Sequence, residues 1–135
     1  MRQIKFRAQD VASNKWLYGD LRHHKNDVCI FEQGGTKGEQ VKRDTIGQFA
    51  GLRDINGKDI YEGDIIRQDV CGDGSLGVVV YDEKHAMFAL RYYDPHNPII
   101  YGLYDCQEKE LKIIGNIYDN PELIAEDMNI QIKED

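Results

Sequence analysis

The stretch Gly51-Leu52-Arg53-Asp54-Ile55-Asn56-Gly57-Lys58-Asp59-Ile60-Tyr61-Glu62-Gly63-Asp64-Ile65-Ile66 decides how this chain is read. Asn56-Gly57 is its strongest turn signal, because both residue types tolerate positive φ. Glu62-Gly63-Asp64 is a second turn, and Ile65-Ile66 begins a strand directly after it. A turn aspartate such as Asp64 accepts backbone N–H bonds and sets the start of the strand that follows. Beyond the glycine-rich loop Cys71-Gly72-Asp73-Gly74-Ser75 lies Gly77-Val78-Val79-Val80-Tyr81. Its β-branched residues predict a central strand. Gly-Asp turn, strand, loop, glycine and valine run make the rhythm of a small SH3-like barrel. The same short strands also fit an OB-like or irregular mixed sheet.

Downstream, Ala86–Tyr93 forms a neighbouring strand across the turn Asp82–His85. Pro95 and Pro98 then break the pattern. Ile99–Tyr104 and Leu111–Gly115 extend as strands, with a helical turn near Gln107–Lys109. Asn120 caps a short helix with Pro121 at its first position, where the missing N–H costs nothing. From Asn129 the chain frays or adds a small terminal strand. Upstream, Ile4, Phe6 and Ala8 fall on one face of a half-buried strand, with Lys5 and Arg7 on the other. Trp16-Leu17-Tyr18 is a short strand closed by Gly19, and Val28–Phe31 another. The polar run Gln33–Gln40 marks a boundary. The expected fold is therefore mainly β. An N-terminal β portion with a polar loop spans 1–44, and an SH3-like barrel with a short C-terminal helix spans 45–135.

Composition agrees. The 135 residues are too few for a large enzyme, yet folding at this size buries roughly two-thirds of the chain's surface. Thirteen glycines and eight tyrosines favour short strands and many turns over long helices. Coiled coil and collagen are excluded. No apolar run approaches the ~18 residues of a membrane span. The formal net charge is −7, which disfavours general nucleic-acid binding. Charge is uneven: residues 1–25 carry Arg2, Lys5, Arg7, Lys15, Arg22 and Lys25, whereas acids dominate from residue 108. The start MRQIKFRAQD shows no secretory pattern, and Cys29, Cys71 and Cys106 form no disulfide framework. Both point to a reduced, cytoplasmic compartment.

Motifs for chemistry are weak. His23 and His24 are adjacent, so on a strand their rings point to opposite faces, and Cys29 completes no zinc spacing. Asp54-Ile55-Asn56-Gly57 opens like a calcium loop. Continued, it puts Asp59 at the glycine position and Ile65 where the bidentate glutamate belongs. Gly34-Gly35-Thr36-Lys37-Gly38 lacks the phosphate-loop spacing. No cofactor is expected. Glu62 and Asp64 flank Gly63 and are the only acid–base pair worth weighing; catalysis there needs a cleft that separates their pKa values. Phe88, Tyr92, Tyr93, Tyr101 and Tyr104 cluster near Lys84 and Arg91. Such aromatics stack bases, fill a core or bind a protein.

Three blocks together resemble one family. They are Ile4-Lys5-Phe6-Arg7-Ala8 with Asp10, the stretch Gly51–Ile65, and Ile114-Gly115-Asn116-Ile117-Tyr118-Asp119-Asn120-Pro121-Glu122-Leu123. They are similar to the start, centre and close of the YopX-like family of phage and prophage proteins. Gln9 stands where that family has an aromatic, and Ala50 where it has threonine. The resemblance implies a small, largely β protein of a phage or integrated element in a bacterial cell. It implies no activity and no catalytic residue. Its recurring residues read as a hairpin turn at Asn56-Gly57, a strand start at Gly63-Asp64 and a helix cap at Asn120-Pro121.

Three function classes follow. The first is a non-enzymatic accessory protein that forms homo-oligomers or binds a host or phage protein, with Arg2, Lys5, Arg7, Tyr92, Tyr93 and Tyr101 as the candidate surface. The second is a nucleic-acid-binding barrel using the same basic strand and tyrosines. The third is a small hydrolase using Glu62 and Asp64.

Overall fold

The computed structural model describes residues 1–68, 75–92 and 99–124. The described residues form eleven short strands: β1 (Phe6–Gln9), β2 (Trp16–His24), β3 (Asp27–Phe31), β4 (Gly38–Gln40), β5 (Gly47–Arg53), β6 (Asp59–Tyr61), β7 (Asp64–Gln68), β8 (Ser75–Asp82), β9 (Met87–Tyr92), β10 (Ile99–Gly102) and β11 (Leu111–Asn116). Among the described residues the helical pieces are 3-10 turns of three or four residues, at Arg43–Thr45, Leu103–Asp105, Glu108–Glu110 and Pro121–Ile124. Among the described residues no helix is long and apolar enough to cross a membrane. The chain divides into two compact units, Met1–Gly51 and a second that begins at Leu52.

The first unit holds an antiparallel sheet in the order β4-β3-β2-β1-β5, in which β1 to β4 form a meander and β5 adds beside β1. Alternate residues build its core: Ala8, Val28, Ile30 and Val41 are buried, with Phe6, Leu17, Leu21 and Ile46 packed against them. β2 serves two partners in succession. Phe6 pairs with Gly19, while Asp20 pairs with Phe31. A Cβ on Gly19 would stand 2.0 Å from the Phe31 carbonyl oxygen, so only glycine lets the strand change partners there. The first strand differs from its expected alternation. Ile4 is 52% exposed and lies outside β1, whereas Arg7 is only 6% exposed.

The second unit holds a five-stranded antiparallel sheet in the order β10-β9-β8-β7-β11. β7 and β8 are central, as the valine run predicts. Ile65, Ile66, Val78 and Val79 are all buried, so both faces of these strands are covered. Ile124, Leu76, Val80, Ile114 and Ile117 pack around Ile65 and Val78.

One expectation needs correction. The sheet is open, with β10 and β11 at its two ends, so the SH3-like barrel is not there. The Gly-Asp turn and the valine run encode the local β7–β8 pairing, which open sheets and barrels share. Closure depends on pairing between distant strands, which no turn signal carries. β5, counted with the barrel, pairs instead with β1 through Phe6–Gln48 and Arg7–Gly47. Of the expected short C-terminal helix, the described residues hold the 3-10 turn Pro121–Ile124, and the rest of that segment lies outside them. The loop glycines 72 and 74, Cys71, Tyr93, both prolines of 94–98 and everything from residue 125 lie outside them.

Candidate functional site

Asp54 organises the β5–β6 turn. It is 3% exposed. Its Oδ1 accepts the N–H groups of Asn56 and Lys58, both at 2.9 Å. Its Oδ2 accepts the N–H of Ile113 at 3.1 Å, 59 residues along the chain. Gly57, at φ 80°, occupies the left-handed region and donates to the Asp54 carbonyl at 2.9 Å. The Ile55 N–H donates to the Leu111 carbonyl at 2.8 Å. One carboxylate therefore closes a local turn and clamps that turn onto β11. Hydrogen bonds to a charged acceptor contribute about 1.5–3 kcal/mol each.

Asp64 does similar work at the next turn. It is 2% exposed, and its Oδ2 accepts the Tyr61 N–H at 2.8 Å. Gly63 donates to the Val79 carbonyl and accepts from the Ile117 N–H, each at 2.9 Å. Glu62 is half-buried beside it. The pair weighed for acid–base chemistry is thus a buried carboxylate engaged with backbone and a half-buried neighbour.

The block after β11 is a third hydrogen-bonded knot. Asn116 Oδ1 accepts from the N–H groups of Tyr118 (3.0 Å) and Asp119 (2.8 Å), and its Nδ2 donates to Asp119 Oδ2 at 3.1 Å. Asn120 Oδ1 accepts the Asn116 N–H at 3.2 Å. The Asn120 carbonyl accepts the Leu123 N–H at 3.1 Å, which opens the 3-10 turn. Asn120 therefore ties its side chain back to the strand rather than capping a helix. A Cβ on Gly115 would lie 2.6 Å from Asn120 Oδ1, so a side chain there would push the Asn120 amide off its bond.

The candidate surface residues divide. Arg2 is exposed, and Lys5 Nζ lies 4.7 Å from the Phe49 ring centroid. The Arg7 guanidinium is buried 4.7 Å over the Trp16 ring. Tyr92 packs inward: its ring lies over Gly77 and its hydroxyl donates to Gln68 Oε1. Tyr101 is 40% exposed, and its hydroxyl donates to Asp105 Oδ2 at 3.1 Å. That carboxylate raises the Tyr101 pKa above the usual phenol value.

Tyr101 belongs to an apolar edge. On β10, Ile99 is 53% and Ile100 42% exposed, and Tyr104, two residues past the strand, is 83% exposed. β10 stands at the end of its sheet, with β9 on one side. Elsewhere, a groove of about 420 Å³ in the first unit is lined by Trp16, Tyr18, Ile30, Glu32, Lys37 and Glu39. Cys106 is a buried thiol pushed up to about 11, mainly by desolvation and then by Glu110 and Asp105. Cys29 is half-buried, and His23 and His24 are exposed on β2. Among the described residues no three His, Cys, Asp or Glu side chains gather as a metal site.

Reading the sequence did not find Asp54 as a clamp or Asn116 as the centre of a knot. The signals existed locally, because Asp and Asn readily bond backbone N–H groups two residues on. The long arm from Asp54 to Ile113 has no local signal.

The fold and these turns can now be set beside known proteins. A family model described as YopX protein matches residues 5–125. The crystal structure of protein EF1440 from Enterococcus faecalis is similar, with a TM-score of 0.56 and 26% sequence identity over 92% of this chain and 99% of that one. No curated protein matches the chain.

Proposed function

The chain belongs to the YopX family, and on that footing we propose that it is an accessory protein of a phage or prophage that works through protein contacts, its own copies included, rather than through catalysis. The observation that carries this reading is β10, a sheet-edge strand with three successive apolar side chains at least 40% exposed. Edges of this kind recruit another strand unless they are covered or charged. The polar residues of the central block support the same reading. Asp54 and Asp64 are buried and bonded to backbone N–H groups, so they hold turns. Burial of Arg7 and the net charge of −7 weigh against a phosphate-binding face. The working compartment is the bacterial cytoplasm.

Light scattering on the purified chain, with a pull-down from bacterial lysate, tests the proposal. Self-association, or a partner that is lost when Tyr101 is replaced by lysine, supports it. A strict monomer that recovers no partner contradicts it.

A further inference from the structure

Among the described residues, β10 ends its sheet with its apolar side chains exposed. Its four residues are Ile99-Ile100-Tyr101-Gly102, with no charge among them. The chain as a whole carries −7, so two copies repel at long range, and contact is least opposed where the surface is uncharged. The strand also lacks any inward charge, lysine or bulge of its own, the usual guards of an edge.

Resting on the protein-contact reading above, we infer that β10 pairs antiparallel with β10 of a second copy, about a twofold axis at Ile100, so that the two five-stranded sheets become one of ten strands. Symmetry narrows the register. A twofold axis perpendicular to a sheet keeps each side chain on its own face, so one residue of the strand must face its own copy. Centred on Ile100, the pairing sets Ile100 against Ile100 on one face. It sets Ile99 against Tyr101 of the second copy, twice, on the other. All three exposed side chains then meet apolar partners. Centred on Tyr101, it would set Ile100 against Gly102, which offers no side chain. Tyr101 is already held by its bond to Asp105, so its ring is ordered before the copies meet.

The strand is short. A standard interface buries roughly 800 Å² on each partner, and one four-residue strand supplies only part of that, so the dimer is weak, with Kd on the order of 10 μM. Screening the net charge with salt should tighten it.

Cysteine cross-linking tests the register, with Cys29 and Cys71 replaced by serine. Residues directly opposite in an antiparallel pair have Cα atoms about 4.5–5.5 Å apart, within reach of a disulfide. Ile100→Cys should give an oxidised dimer at least fivefold more readily than Ile99→Cys, whose position faces Tyr101. Sedimentation of the wild type should show a dimer growing with concentration, and Ile100→Lys should remain a folded monomer. Equal cross-linking by the two cysteine variants overturns the proposed pairing. So does a wild-type monomer at ~0.5 mM, far above the expected Kd. If that monomer still captures another protein through β10, self-pairing fails while the protein-contact reading stands.

Discussion

The turn at Asp10, between β1 and β2, and the turn at Asp54, between β5 and β6, use one chemistry in two settings. In both, a carboxylate accepts N–H bonds from the residues just after it. Asp10 Oδ2 accepts from the Ser13 N–H at 3.1 Å and the Ser13 hydroxyl at 2.6 Å, and both bonds are exposed. Asp54 makes two such local bonds and a third, to Ile113, while 97% buried by area. The exposed turn can exchange its bonds for water at little cost. The Asp54 turn does so less freely, because its carboxylate is buried and the half-buried Ile113 on β11 would lose its N–H acceptor. Turns of similar composition therefore differ in what they hold. One shapes a loop, and the other locks a hairpin to a strand far along the chain.

The largest effect should come from Asp54→Ala, which takes a buried carboxylate away from three part-buried backbone N–H bonds and should lower stability by about 3–5 kcal/mol in urea unfolding. Gly19→Ala comes next. It tests whether the first unit depends on the strand's change of partner rather than on the Asp10 turn. A methyl group 2.0 Å from the Phe31 carbonyl oxygen should cost roughly 2–4 kcal/mol. Loss of the same size from Asp10→Ala would erase the contrast between the two turns. Asn120→Ala removes one tie to the Asn116 N–H and should cost about 1 kcal/mol.

Smaller effects concern titration. Cys106 holds its proton in the folded state up to about 11, so its contribution to stability is complete below the ordinary thiol value of 9.0 and is lost as pH rises toward 11. At pH 8 it should react with a maleimide far more slowly than Cys29, as followed by mass spectrometry; equal rates would mean that Cys106 is not shielded. Least of all, the Ser13 hydroxyl lowers the Asp10 pKa, so Ser13→Ala should raise it toward 3.8 by NMR titration. The matching contribution to stability is present above 3.8 and lost as pH falls through the folded value. An unmoved Asp10 titration would show that the turn's bonds do not form in solution.

Much of the second unit was legible because it is local. Asn56-Gly57, Gly63-Asp64 and Val78-Val79 each announce a turn or a strand within a few residues, and each lies where those signals put it. The open sheet was not legible, because whether β10 meets β11 depends on residues far apart in sequence. Arg7 misled for a different reason. A charge on an alternating strand predicts an exposed face, but Trp16 supplies a flat aromatic surface on which a guanidinium can be buried. Ile99, Ile100 and Tyr101 looked like one more strand; only the strand order reveals them as an edge.

The contrast between the two turns is most directly tested by amide hydrogen exchange at Ile113 in Asp54→Ala, measured against Ile66, its pairing partner on β7. The account predicts that the Ile113 amide loses protection beyond whatever general loss Ile66 reports, while Asp10→Ala leaves both unchanged. An Ile113 amide that only keeps pace with Ile66 would mean that the Asp54 carboxylate does not clamp β11, and the contrast would fall.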